Sequence, residues 1–179
     1  MSKAVVAFPG SPDEVVNLKD PTVAAILAWL VPGLGHLYQG RTAKGVLFMV
    51  CILSTFFFGL YLSDGHAVYA SWTADDTRLY YLGQVCVGLP ALPALVQTYR
   101  VRSGQSPLVN GLMAPPVDGA QLSEWYRTLH SFFELGTVYT MIAGLLNVLA
   151  IYDAWGGPVP LEVMDEKKPR PDKAAPSPG

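Results

Sequence analysis

Two apolar runs, residues 43–62 and 79–98, extend for 20 residues each; the first is broken only by Lys44 and the second contains no charged side chain. At about 1.5 Å per residue, a helix over either run is about 30 Å long, the thickness of a bilayer's hydrocarbon core. Composition agrees, with 51% hydrophobic residues, 15% charged residues and a mean hydropathy of +0.30. Ordinary soluble domains carry about a quarter charged residues. The expected fold class is therefore an all-α integral membrane protein, a small bundle of about four transmembrane helices with a short amphipathic helix at the interface. A net charge of −2 supplies no basic field for nucleic acid. Cys51 and Cys86 both fall inside apolar runs, which suits small packed residues and not a disulfide framework.

Taken in order, residues 1–20 form a polar N-terminal tail with no signal-peptide core. Asp20-Pro21 is a helix start, since aspartate caps free amides and proline at the first helical position forfeits no bond. Residues 21–62 read as a helical hairpin around a Gly/Pro-rich corner. Its first limb, residues 21–38, spans about 27 Å at most. Pro32 cannot donate to the carbonyl of Ala28, so this limb either crosses with a kink or stops near Val31. Residues 63–78 are a polar loop, and residues 79–98 a third span kinked by Gly88, Pro90 and Pro93. In residues 99–131 a loop leads into an amphipathic helix carrying Leu122, Trp125, Tyr126 and Leu129 on one face. Residues 132–155 supply the fourth span, and residues 156–179 have the composition of a disordered tail.

Basic residues set the expected orientation. Arg41 and Lys44 follow the corner and Arg100, Arg102 and Arg127 lie in the third connection, whereas residues 63–78 hold only Arg78. Loops 39–44 and 99–131 are thus expected in the cytoplasm, and four spans would then put both termini on the far side.

The corner Pro32-Gly33-Leu34-Gly35-His36-Leu37-Tyr38-Gln39-Gly40-Arg41 is the first candidate site. Its glycines mark a tight turn; a dinucleotide cradle would need a preceding strand and a third glycine where Tyr38 stands. Gly136, Thr140 and Gly144 recur every fourth residue and form a small-residue packing seam on the fourth helix. Asn147 falls on nearly the same face as polar glue. Glu134, Asn147 and Asp153 are the polar groups that interrupt this span; Glu134 and Asp153 sit close enough to its ends to serve as interfacial anchors, with a proton or ion pathway as the alternative. His36, His66 and His130 share no ligand-like spacing, and no nucleophile and base occur together, so catalytic, metal and cofactor-binding residues are all expected to be absent.

The corner with its following Lys44-Gly45 resembles the two-transmembrane-helix domain, in which a glycine-rich turn with a histidine, an aromatic residue and Gly-Arg joins two helices. It also resembles a group of bacterial multi-span proteins of unknown function that carry Pro-Gly-Leu-Gly-His and a last helix like residues 143–154. The resemblance implies an integral membrane domain and transfers no activity. The expected function is a non-enzymatic structural or interaction protein of the cell membrane, with the lipid bilayer, other membrane proteins or a second copy as partners. The alternative is a small transporter or channel component that uses Glu134, Asn147 and Asp153.

Overall fold

A computed structural model describes residues 5–6, 16–17, 19–73 and 77–157. The expected disordered tail, and most of the N-terminal tail, lie outside the described residues. Apart from a two-residue antiparallel pairing of Val5–Val6 with Val16–Asn17, the fold is helical.

Helix α1 (Pro21–Leu30) begins as expected, with the Asp20 carboxylate accepting the Thr22 amide at 2.9 Å. It stops after ten residues, about 15 Å or half the hydrocarbon core. Pro32 is the cause twice over: it offers no N–H to Ala28, and its ring forces Val31 into extended geometry, φ −137° and ψ 122°. Gly33 then turns at φ +83°, pressed so closely on the Gly45 carbonyl of the next long helix that a β-carbon has no room. The short helix α2 (Leu34–Tyr38) runs back along α1, its Gly35 against the Ala24 carbonyl. Residues 21–38 therefore form a hairpin that returns to the end where it began. Of the two expectations for this limb, the stop near Val31 is the one found.

Helices α3 (Thr42–Leu62) and α7 (Ser131–Gly156) are the two that are long and apolar enough to cross a membrane. They pack antiparallel. Gly59 meets Gly136 at one end, where each glycine would drive a β-carbon into the other's carbonyl, and Lys44 meets Asp153 at the other. Phe58 and Tyr139 stack edge to face between the two helices.

The expected third span is not a continuous helix. Helix α4 (Tyr80–Gln84) passes into a 3-10 turn (Val85–Val87), breaks at Gly88 with φ +87°, and reverses through a second turn (Leu89–Ala91) into helix α5 (Pro93–Arg102). The two limbs lie side by side, with the Tyr81 hydroxyl donating to the Ala91 carbonyl at 3.0 Å. Thr98 on the returning limb donates to the Ala70 carbonyl at 2.7 Å, back at the end from which α4 set out. A stretch of 20 apolar residues fits one pass or two half-passes equally well; proline with a positive-φ glycine makes it two.

Helix α6 (Gly119–Leu129) is the expected amphipathic helix, capped by Asp118, which accepts the Gln121 amide at 2.8 Å. Its Trp125 ring lies 4.3 Å from His66 and packs on Tyr69 and Phe133, and the Met113 amide donates to the Gly65 carbonyl. Loops 63–73 and 103–118 and helix α6 thus cover one end of the α3/α7 pair, while loop 39–44 covers the other. Loops 39–44 and 99–131 were expected on one face. They lie at opposite ends of the α3/α7 pair, because the chain between these helices turns back at Gly88 to the end from which it set out. For the same reason residues 19–20 and 157 lie at the corner's own end and not on the far side.

Candidate functional site

At the corner's end, three side chains from around the corner meet on one carboxylate from a distant part of the chain. Asp153, in the last turn of α7, accepts from His36 Nε2 at 2.7 Å, Lys44 Nζ at 2.7 Å and Arg41 Nη2 at 3.1 Å. Gln39 Nε2 donates to the neighbouring Ala154 carbonyl at 2.7 Å. These donors sit where the last carbonyls of a helix lack partners and its dipole favours positive charge. The tight turn that delivers them is closed by Gly40 at φ +81° and by the Arg41 amide on the His36 carbonyl at 2.9 Å. Tyr38 packs beside Ala24, Ala28, Ile151 and Ala154, with Lys19 Nζ 4.8 Å above its ring.

His36 is fully buried and stacks edge-on against Phe48 at 4.9 Å. Burial lowers its pKa below the ordinary histidine value; the bond to Asp153 pulls the other way, and the Arg41 and Lys44 charges add to the lowering. With Nε2 on Asp153, Nδ1 is enclosed without a partner. The cluster then holds two fixed positive charges, Arg41 and Lys44, against one negative charge. Arg41 Nη1 and Gln39 Oε1 are also shielded and without a partner in the protein.

A second polar centre lies at half depth. Pro32 deprives the Ala28 carbonyl of its helical donor, and the break at Gly88 ends the Val85–Val87 turn and leaves the Cys86 carbonyl without one. The buried Asn147 amide serves both: Nδ2 donates to Ala28 at 3.1 Å and to Cys86 at 2.9 Å. One side chain on α7 thereby ties together the tips of two hairpins that enter from opposite ends. At the tips themselves Gly88 lies directly against the carbonyls of Trp29 and Leu30. One turn and more towards the other end, Gln84 Nε2 donates to the Thr140 hydroxyl at 2.8 Å and to the Ala67 carbonyl at 3.1 Å.

The residues singled out from sequence fall into these two centres unequally. Pro32, Gly33, Gly35, His36, Tyr38, Gly40 and Arg41 all lie in the corner hairpin. Gly136, Thr140 and Gly144 share the buried face of α7, with Gly144 against the Gly83 carbonyl. Glu134, Asn147 and Asp153 do not converge: Glu134 is exposed in the first turn of α7, about 28 Å along the helix from Asp153. The pairing of Asp153 with the corner was not foreseen, nor were Gln39, Gln84 and Arg78 as structural residues. Arg78 is buried, donating to the Thr137 hydroxyl at 2.9 Å, with the rings of Tyr69, Tyr80 and Phe133 within 5.4 Å. The signal that could have found Gln84 is its place inside an apolar run, where a buried amide needs polar partners. A carbonyl orphaned inside an apolar run needs a donor, and few side chains in such runs can supply one.

A family model described as a family of unknown function, DUF6677, matches residues 23–168. The chain belongs to this family. No curated protein and no solved structure matches it. The matched residues take in both hairpins, both long helices and, apart from the start of α1, every helix of this DUF6677 fold.

Proposed function

We propose that this DUF6677 protein is a non-enzymatic integral membrane protein that serves as a structural or interaction scaffold. The supporting observation is the outward apolar surface of α3 and α7. Only 28% and 39% of their most apolar stretches are buried, and Val50, Leu145 and Leu149 point away from the protein. A core helix of a soluble protein would be mostly enclosed, and surface of this extent calls for lipid. On this reading α3 and α7 cross the bilayer and the two hairpins enter it from opposite faces. Irregular backbone at such depth is tolerated where protein satisfies its polar groups, as Asn147 does here.

The corner's end is proposed to face the cytoplasm. Lys19, Arg41 and Lys44 lie at that end and Lys167, Lys168, Arg170 and Lys173 come after α7 in the sequence, against Arg78, Arg100, Arg102 and Arg127 at the other end.

A small transporter or channel component is the second reading. It is favoured by the meeting of hairpin tips at half depth, and by Gln84 Oε1 and Asn147 Oδ1, both enclosed without a partner. Against it stands the close seal of Gly88 on the Trp29 and Leu30 carbonyls. Two experiments separate the readings. The protein should stay with the membrane through alkaline carbonate washing; release into the wash would remove the membrane reading. Reconstituted liposomes should be no leakier to alkali cations, protons or small polar solutes than empty ones, and selective flux would favour the transporter.

A further inference from the structure

Beside the Asp153 cluster, the surface at the start of α3 combines unspent positive charge with exposed apolar side chains. Arg41 and Lys44 face a single carboxylate. The Arg41 side chain is partly exposed, and no side chain caps the first amides of α3, where Thr42 and Ala43 are exposed. Lys44 is itself 39% exposed, and Val46, Leu47 and Val50 follow it outward along the same helix at 52%, 59% and 60% exposure. A ligand that satisfies all of this carries a phosphate or similar anion at one end and a hydrocarbon chain at the other.

We propose that this surface binds an anionic phospholipid, its phosphate held by Arg41, Lys44 and the first turn of α3, and its acyl chain lying along Val46, Leu47 and Val50. The proposal rests on the membrane reading above and names a partner for it. Charge complementarity selects the headgroup. Two cations and a helix N-terminus meet one internal carboxylate, so an added anion is attracted, whereas a zwitterionic headgroup brings its own positive charge to the same place. Asp153 becomes an internal competitor: it occupies donors that a lipid phosphate would otherwise take.

That competition gives a test that loss of folding cannot imitate. The full-length protein is reconstituted in nanodiscs of phosphatidylcholine with a minor fraction of phosphatidylglycerol, then released for native mass spectrometry. Wild type should retain phosphatidylglycerol well above its share of the mixture. Retention should fall roughly tenfold, the size expected when charge-assisted contacts are removed, in the double variant Arg41→Gln, Lys44→Gln. It should be unchanged in Arg100→Gln, Arg102→Gln at the opposite end. Asp153→Asn should raise retention, although it loosens the corner. Glycerol 3-phosphate, which has the anion and no chains, should fail to displace the lipid at millimolar concentration. Equal retention of the two lipids by wild type, or undiminished retention by the Arg41, Lys44 double variant, would overturn the proposal. So would lowered retention in a folded Asp153→Asn protein. Displacement by glycerol 3-phosphate would replace the lipid with a free phosphate ester as the ligand. Release of the protein by carbonate washing would instead defeat the membrane reading before any lipid was weighed.

Discussion

The two hairpins solve one problem in different ways. Residues 21–38 reverse at Val31–Gly33 between two ordinary helices, and the limb ends are fastened at the surface by charges, through His36, Arg41, Lys44 and Asp153. Residues 79–102 reverse through two 3-10 turns around Gly88, and are fastened by neutral amides and hydroxyls: Gln84 to Thr140, Gln97 to the carbonyls of Leu108 and Leu112, and Thr98 to Ala70. Both have a break that orphans a carbonyl, and both have that carbonyl answered by Asn147. The first hairpin is therefore held by interactions that salt and pH can reach, the second by interactions they cannot.

The largest expected effect follows from what the hairpins share. Asn147→Leu keeps the branched shape and heavy-atom count and removes both bonds, leaving the Ala28 and Cys86 carbonyls unsatisfied inside the protein. At about 1–3 kcal/mol for each such group, the loss is about 2–6 kcal/mol. It should appear as a large fall in unfolding temperature in one detergent, and the fall should be the same at low and high salt. A fall that salt abolishes would mean that Asn147 acts through the charged corner.

Next come the turns. Gly88→Ala would set a β-carbon against the Trp29 carbonyl at a backbone angle that side chains avoid, and Gly33→Ala would do the same against Gly45. Each should destabilise by about 2–3 kcal/mol, from strain together with the displaced backbone. Gly40→Ala, where nothing lies within 4 Å, should cost only about 1 kcal/mol for the positive φ. Equal losses at Gly40 and Gly88 would mean that the tips do not touch. Gly35→Ala sharpens this further, because Gly35 is helical and alanine favours a helix by about 1 kcal/mol. Destabilisation there can only come from the close approach to Ala24.

Smaller effects distinguish the charged hairpin from its partner. Asp153→Asn should lower the unfolding temperature modestly, with less difference from wild type as salt rises, whereas Gln84→Leu should show no salt dependence. Smallest is the effect of acid. The fold holds His36 below its ordinary pKa, so the unfolded chain binds the proton more readily; stability is complete above the ordinary histidine pKa and is lost as pH falls through it. Wild type should lose more unfolding temperature between pH 7.5 and 5.5 than His36→Gln does. An equal loss would assign the acid sensitivity elsewhere.

Much of this was legible in the sequence, and the reasons are specific. Helices α3 and α7 were readable because their apolar runs contain no proline to end or turn them, unlike residues 79–98. Asp20-Pro21 marked the start of α1, and Pro32 with its glycines marked the corner, because cap and turn residues act locally. Direction was not legible. Gly88 with Pro90 reads as a kink or as a reversal, and only the contacts of the tip with Trp29 and Leu30 decide between them. That one ambiguity carried the orientation of loop 99–131 with it. Asp153 looked like an interfacial anchor for a related reason: its partners lie more than a hundred residues away, and nothing in its own helix points to them.

The reversal at Gly88 is tested most directly by which loops share a face. Single cysteines at Ala43 and Ser106, both exposed positions, can be placed in a background lacking Cys51 and Cys86 and challenged with an impermeant thiol reagent on intact cells. With the second hairpin returning to the end it left, Ser106→Cys should react and Ala43→Cys should be shielded, and inside-out vesicles should reverse the pattern. If both positions are shielded together, or both labelled together, residues 79–102 cross the membrane and the two-hairpin architecture is wrong.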